Sequence, residues 1–112
     1  MFYEYNLPSD DSGWDNCKET YMVKITYQDQ FQNKESFWVW IDKIEGEQIT
    51  GIICNQLNTY NLSIGDKITF EKKHIKEISN RKYTIDQTLM SIEIARSNPI
   101  SKYFSKLNQR FI

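Results

Sequence analysis

The segment Glu35-Ser36-Phe37-Trp38-Val39-Trp40-Ile41 constrains the fold more than any other part of the chain. Five consecutive positions, 37 to 41, are apolar and drawn from aromatic and β-branched residues, the composition of a strand. Side chains alternate across a strand, so Phe37, Val39 and Ile41 share one face and Trp38 and Trp40 the other. A half-buried strand keeps one polar face. This one does not, so either its sheet is covered on both sides or the two tryptophans form an exposed platform.

Its neighbours follow from turn signals. Residues 20–27 alternate, with Tyr21, Val23, Ile25 and Tyr27 on one face and Thr20, Lys24 and Thr26 on the other, which predicts a half-buried strand. Residues 28–35 are polar and read as a loop. Glu45-Gly46-Glu47 supplies a turn, with Gly46 free to adopt positive φ. Residues 48–54 return as the partner of a hairpin, and Gly51 inside them marks a bulge or a close backbone approach. After a polar loop, Gly65-Asp66 introduces the strand Lys67–Glu71. His74–Ile78 extends that strand or forms a short fifth one.

The hydrophobic period then changes. Thr84 and Gln87 have capping-box spacing, and Ile85, Leu89, Ile92 and Ala95 read as one helical face. Asn98-Pro99 predicts a second helix start, followed by a stripe at Ile100, Tyr103, Phe104, Leu107 and Phe111. The expected fold class is therefore α+β: a small antiparallel sheet or partly open barrel of four to five strands, followed by two C-terminal helices packed on it. At 112 residues the chain reads as a single domain, 1–112, with an N-terminal arm at 1–16, a strand-rich part at 20–78 and a helical part at 84–111. A chain of this size buries about two-thirds of its unfolded surface, enough for one core without staples.

Little in the sequence carries reaction chemistry. His74 is the only histidine and has no second His or Cys at metal-ligand spacing. A nucleophilic pair of Cys54 with His74 is conceivable on adjacent strands, but no third group orients it. Cys17 and Cys54 are far apart and outside any CxxC motif, which suits a reducing cytoplasm. No apolar run is long enough for a membrane span, and no basic-then-apolar leader opens the chain. Phosphate-binding loops, dinucleotide fingerprints and nucleophile elbows are absent from the sequence. We expect no enzyme activity, no cofactor and no metal.

Three groups remain as binding candidates. Trp38 and Trp40 form either core beneath the helices or a platform for a partner, bases or a cation. The acidic residues Asp10, Asp11 and Asp15, with Tyr60, are further candidate partner contacts. Lys72, Lys73, Lys76, Arg81 and Lys82 make a basic stretch that suits phosphate or an acidic partner, or simply guards a sheet edge. The net charge of −1 speaks against broad electrostatic binding of nucleic acid.

The string formed by Glu35, Phe37-Trp38-Val39, Gly51-Ile52-Ile53-Cys54-Asn55, Gly65-Asp66, Phe70 and Ile75 resembles a bacterial family known as domain of unknown function number twenty-three fourteen, over roughly half the chain. The chain departs from that pattern in having no proline shortly after Asn55 and no Asp-Trp pair after Ile75. The resemblance implies a small α+β domain and assigns no functional residues. The expected function is protein binding without catalysis: a small bacterial or phage-encoded inhibitor or immunity-type protein that occludes a toxin, nuclease or defence effector. The alternative is a nucleic-acid or small-ligand binding domain that uses the tryptophans and the basic edge.

Overall fold

A computed structural model describes residues 1–5, 17–58 and 61–97. Five strands follow in chain order: β1 Tyr21–Gln28, β2 Lys34–Glu45, β3 Gln48–Ile53, β4 Lys67–Glu71 and β5 Ile75–Lys82. A single 3-10 turn, Lys72–His74, joins β4 to β5, and helix α1, Ile85–Ser97, closes the described chain. The strands form one sheet in the order β4-β3-β2-β1-β5, antiparallel at every pairing.

This topology forces curvature. The two edge strands, β4 and β5, lie at opposite ends of the strand order, yet only three residues connect them. Those residues cannot span four flat inter-strand spacings of about 4.8 Å each, so the sheet must coil until its edges approach. Phe2 packs into the resulting seam. Its ring centroid lies 5.8 Å from that of Tyr27 on β1, 6.3 Å from Phe70 on β4 and 5.7 Å from His74. The N-terminal segment also joins the sheet: Phe2 bridges Tyr27, Tyr3 N–H donates to Thr26 O at 2.8 Å and Gln28 N–H to Met1 O at 2.7 Å.

The inner face of the coil is the core. Val23, Ile25, Phe37, Val39, Ile41, Ile49, Ile53, Phe70 and Ile75 form one cluster, each at most 2% exposed. Full burial of such side chains is worth about 1.5–3 kcal/mol each. Gly51 lies between these strands because nothing larger fits. A Cβ there would run into the side chain of Val39 and the carbonyl of Trp40, and the β2–β3 register slips beside it, between Ile41 and Lys43. At the β2–β3 turn Gly46 has φ of 61°, the first-position conformation that a two-residue hairpin loop asks of glycine.

The expected fold class is overturned. The described protein is mostly β: five strands, widened to six by the Phe2 bridge, with one helix rather than two. The predicted second helix from Asn98 lies outside the described residues. Two further corrections explain the extra sheet. Lys34 and Glu35, part of the loop predicted at 28–35, belong to β2 together with Ser36, because the three pair with Gln28, Tyr27 and Thr26. Asp29 folds the hairpin tightly instead, its Oδ1 accepting the Phe31 and Asn33 N–H groups at 2.8 and 2.9 Å. The stretch from Ile75 is a full eight-residue strand because β1 offers it a second edge.

Candidate functional site

With the inner face filled by apolar side chains, chemistry falls to the outer face. The β1–β2 register lays that face out in rows: Met22 beside Trp40, Lys24 beside Trp38, Thr26 beside Ser36 and Gln28 beside Lys34. The first and third rows are covered by different parts of the chain.

Helix α1 covers the first. Thr84 and Gln87 form the predicted capping box, with Thr84 N–H donating to Gln87 Oε1 and Gln87 N–H to Thr84 Oγ1, both at 3.0 Å. Trp40, 5% exposed, donates its indole N–H to Tyr83 O at 2.8 Å just before the helix begins. At the far end Arg96 Nη2 donates to Ile64 O at 2.7 Å. These tethers fix the helix rotation. Thr88 and Ile92, 1% and 3% exposed, face inward, one turn apart, with Arg96 a further turn on. Ile85 and Leu89, predicted for the buried face, are exposed.

The N-terminal segment covers the third row. Tyr5 OH and Thr26 Oγ1 are hydrogen-bonded at 2.8 Å, and Thr26 Oγ1 and Ser36 Oγ at 2.8 Å. Tyr3 packs beside Tyr5, ring centroids 4.9 Å apart. The Lys34 ammonium sits 3.9 Å from the centroid of the Tyr3 ring.

The second row lies between these covers. Trp38 is half-buried, its backbone N–H donating to Asn55 Oδ1 at 2.6 Å. Lys24 Nζ stands 5.8 Å from its ring centroid. Among the described residues neither Lys24 nor Lys34 forms an ion pair. The structure thus parts the two tryptophans: Trp40 is a covered core residue with a satisfied indole, and Trp38 borders an accessible cationic row. Tyr3, Tyr5, Lys24, Lys34 and the two hydroxyls were not singled out from the sequence as binding residues. The alternation of Lys24 and Trp38 placed them on outer faces, but only the strand register shows them side by side.

The other candidates are dispersed. Lys72 and Lys73 occupy the 3-10 turn at one end of β5, and Arg81 and Lys82 the other end, about 20 Å away along the strand. Lys73 pairs with Glu4 at 3.0 Å and Glu71 at 3.5 Å, and its hydrogen bond to Glu4 raises its pKa. Arg81 lies over the Tyr83 ring, 4.6 Å from its centroid, and Lys76 is exposed on β5. Asp10, Asp11, Asp15 and Tyr60 lie outside the described residues.

Cys54 and His74 are engaged separately. Cys54 Sγ donates to Ile52 O at 3.3 Å, and burial pushes its thiol pKa up to about 11. His74 Nδ1 accepts the Glu71 N–H at 3.0 Å, and burial lowers its pKa from 6.5. Glu35 is a buried carboxylate that accepts the Asn58 N–H on both oxygens, at 3.1 and 2.8 Å, clasping the loop after β3 to the start of β2. No group of three His, Cys, Asp or Glu among the described residues could hold a metal ion. No described helix is long and apolar enough to cross a membrane.

The family described as an uncharacterized protein conserved in bacteria (DUF2314) matches residues 14–92, and the chain belongs to it. Neither the curated proteins nor the solved structures contain a match to this chain. The family match spans Lys24, Lys34, Trp38 and most of α1, and leaves Tyr3 and Tyr5 outside it.

Proposed function

We propose that this chain is a non-enzymatic protein-binding module of the cytoplasm, an inhibitor or immunity-type protein that acts by covering a site on its partner. One observation carries the reading. A half-buried indole and a lysine with no ion pair among the described residues stand side by side in the row between two covers. Half-buried aromatics are frequent anchors of protein interfaces, and the surrounding surface would supply the roughly 800 Å² per partner of a standard contact. Cys17 and Cys54 are both free thiols, in keeping with a reducing compartment.

The second reading is a nucleic-acid or small-ligand binder. Cations lying over aromatic rings at Lys24–Trp38, Lys34–Tyr3 and Arg81–Tyr83 favour it.

The test is affinity capture from host lysate with the wild type and Trp38→Ala, whose folded state is checked first by circular dichroism. Trp40 is unsuitable for the purpose, because its removal disturbs the helix attachment. One stoichiometric protein, lost with Trp38→Ala, supports the first reading. Nucleic acid recovered in its place, released by salt, supports the second. Full retention by the folded variant removes Trp38 from the interface and sinks the argument made from it.

A further inference from the structure

Resting on the protein-binding reading, we infer that the outer face, from the Lys24–Trp38 row across the Tyr5 cover to Lys34, receives an extended acidic segment of the partner. Two carboxylates, at positions i and i+4 of that segment, seat on Lys24 and Lys34, and the side chain between them lies against Tyr5.

The spacing comes from the register. Lys34 pairs with Gln28, so Lys24 and Lys34 stand on one face, four residues apart along the β1–β2 hairpin. At about 3.3 Å per residue that is about 13 Å. An extended segment repeats its same-face side chains every second residue, so i and i+4 span the same about 13 Å, with i+2 midway. Midway on the protein is Tyr5, held over the Thr26–Ser36 row by its hydroxyl.

The charges are available. Neither lysine is in an ion pair among the described residues. The carboxylates nearest in register and sequence are Glu77 and Glu35. Glu77 lies opposite Lys24 on β5 without an ion-pair contact to it. Glu35 follows Lys34 but is buried on the other face against the Asn58 N–H. An ammonium resting over a ring still directs N–H donors outward, so each lysine can take a carboxylate while keeping its aromatic contact.

Charge disfavours nucleic acid. The net charge of −1 supplies no background attraction to a phosphate chain.

The probe is a capped pentapeptide, Glu-Ser-Phe-Ser-Glu, titrated into the full chain at about 50 mM salt, where screening is modest, and followed by amide and indole NMR shifts. We expect saturable shifts at Lys24, Ser36 and the Trp38 indole. The affinity should fall about tenfold in each of Lys24→Glu and Lys34→Glu, whose spectra report retained folding, and about tenfold with a Gln-for-Glu peptide. Three results overturn the inference: no saturable shift at about 5 mM peptide, a concentration that would reveal even millimolar binding; equal binding of the Gln peptide; or tighter occupation of the same residues by oligothymidylate. If capture of a protein partner fails in Trp38→Ala but survives both lysine reversals, the acidic-segment inference fails and the protein-binding reading stands.

Discussion

Replacing Trp40 and Trp38 separately by Phe tests how the outer face is built. Trp40 is 5% exposed and its Nε1 lies 2.8 Å from Tyr83 O. Phe deletes part of the indole, about 40 Å² of apolar surface, or about 1 kcal/mol at about 25 cal/mol per Å². It also strips a part-buried carbonyl of its donor, at about 1–3 kcal/mol. The expected loss is about 2–4 kcal/mol. Trp38 differs: its hydrogen bond to Asn55 runs through the backbone, which Phe keeps, and only the contact with Lys24 weakens, by about 0.5 kcal/mol. A domain with a stability of about 5–15 kcal/mol survives either change. Urea unfolding, read by far-ultraviolet circular dichroism because the indoles themselves are altered, is the assay. With a slope of about 1–3 kcal/mol per M, Trp40→Phe lowers the midpoint by about 1–2 M and Trp38→Phe by a few tenths. Equal midpoints, or a larger drop for Trp38→Phe, would refute the claim that the Trp40 indole fastens α1 to the sheet.

Three further outcomes follow from the same contacts. His74 is held below its ordinary 6.5 by burial, so the unfolded chain takes up this proton first as pH falls. Its contribution is whole above about pH 6.5 and is lost below it; the urea-midpoint advantage of wild type over His74→Asn should shrink between pH about 7.5 and about 5, and a growing advantage would contradict the assignment. The Cys54 thiol, pushed up to about 11 by burial, should alkylate with iodoacetamide at pH about 8 roughly a hundredfold more slowly than a free thiol; the stability it lends is whole below about pH 9 and is lost as pH rises through about 11, and model-thiol rates in the folded protein would show the burial to be wrong. Gly51→Ala forces a methyl against Val39 and the Trp40 carbonyl and should cost about 1–3 kcal/mol, seen as a fall in Tm of more than about 4 °C; an unchanged Tm would mean that β2 and β3 separate there freely.

The strands were legible where a single rule governed them. Alternation at Tyr21–Tyr27 and apolar density at Phe37–Ile41 identified β1 and the centre of β2, and the glycines at 46 and 65 placed the turns that precede β3 and β4. The Thr84–Gln87 capping box also formed as its spacing predicts. What failed depended on distant partners. Lys34 and Glu35 look like loop because both are charged, yet β1 draws them into the ladder. The start of α1 was set by local capping, but its rotation was set by Trp40 and Ile64, so Thr88 rather than Leu89 turned inward. The open row was harder still. Lys24 and Trp38 belong to different strands, and Tyr3 and Tyr5 reach them through main-chain pairing of the first residues with β1. No spacing along the chain encodes that proximity.

The two faces of the sheet are held by forces of different size, and this decides where function can reside. The inner face is a close-packed cluster of nine residues, each at most 2% exposed, and any truncation there costs about 1–5 kcal/mol. The outer covers are tied by hydrogen bonds of Tyr5 to Thr26, Trp40 to Tyr83 and Arg96 to Ile64, beside the main-chain bonds of Met1 and Tyr3 and the burial of Trp40 and Ile92. Such bonds contribute about 1 kcal/mol net apiece. Beneath α1 the Thr88 hydroxyl is buried with no partner among the described residues, which subtracts from the attachment of that cover. The outer face can therefore change its exposed rows without endangering the core. Variation at Tyr5, Ser36 or Arg96 should alter what the Lys24–Trp38 row presents to a partner at small cost in stability, whereas variation at Val39 or Ile53 should affect folding first. The sheet has, on this account, one face that makes the fold and another whose cover leaves a gap between its two pieces. The gap is where Lys24, with no ion pair among the described residues, and the half-buried Trp38 indole lie.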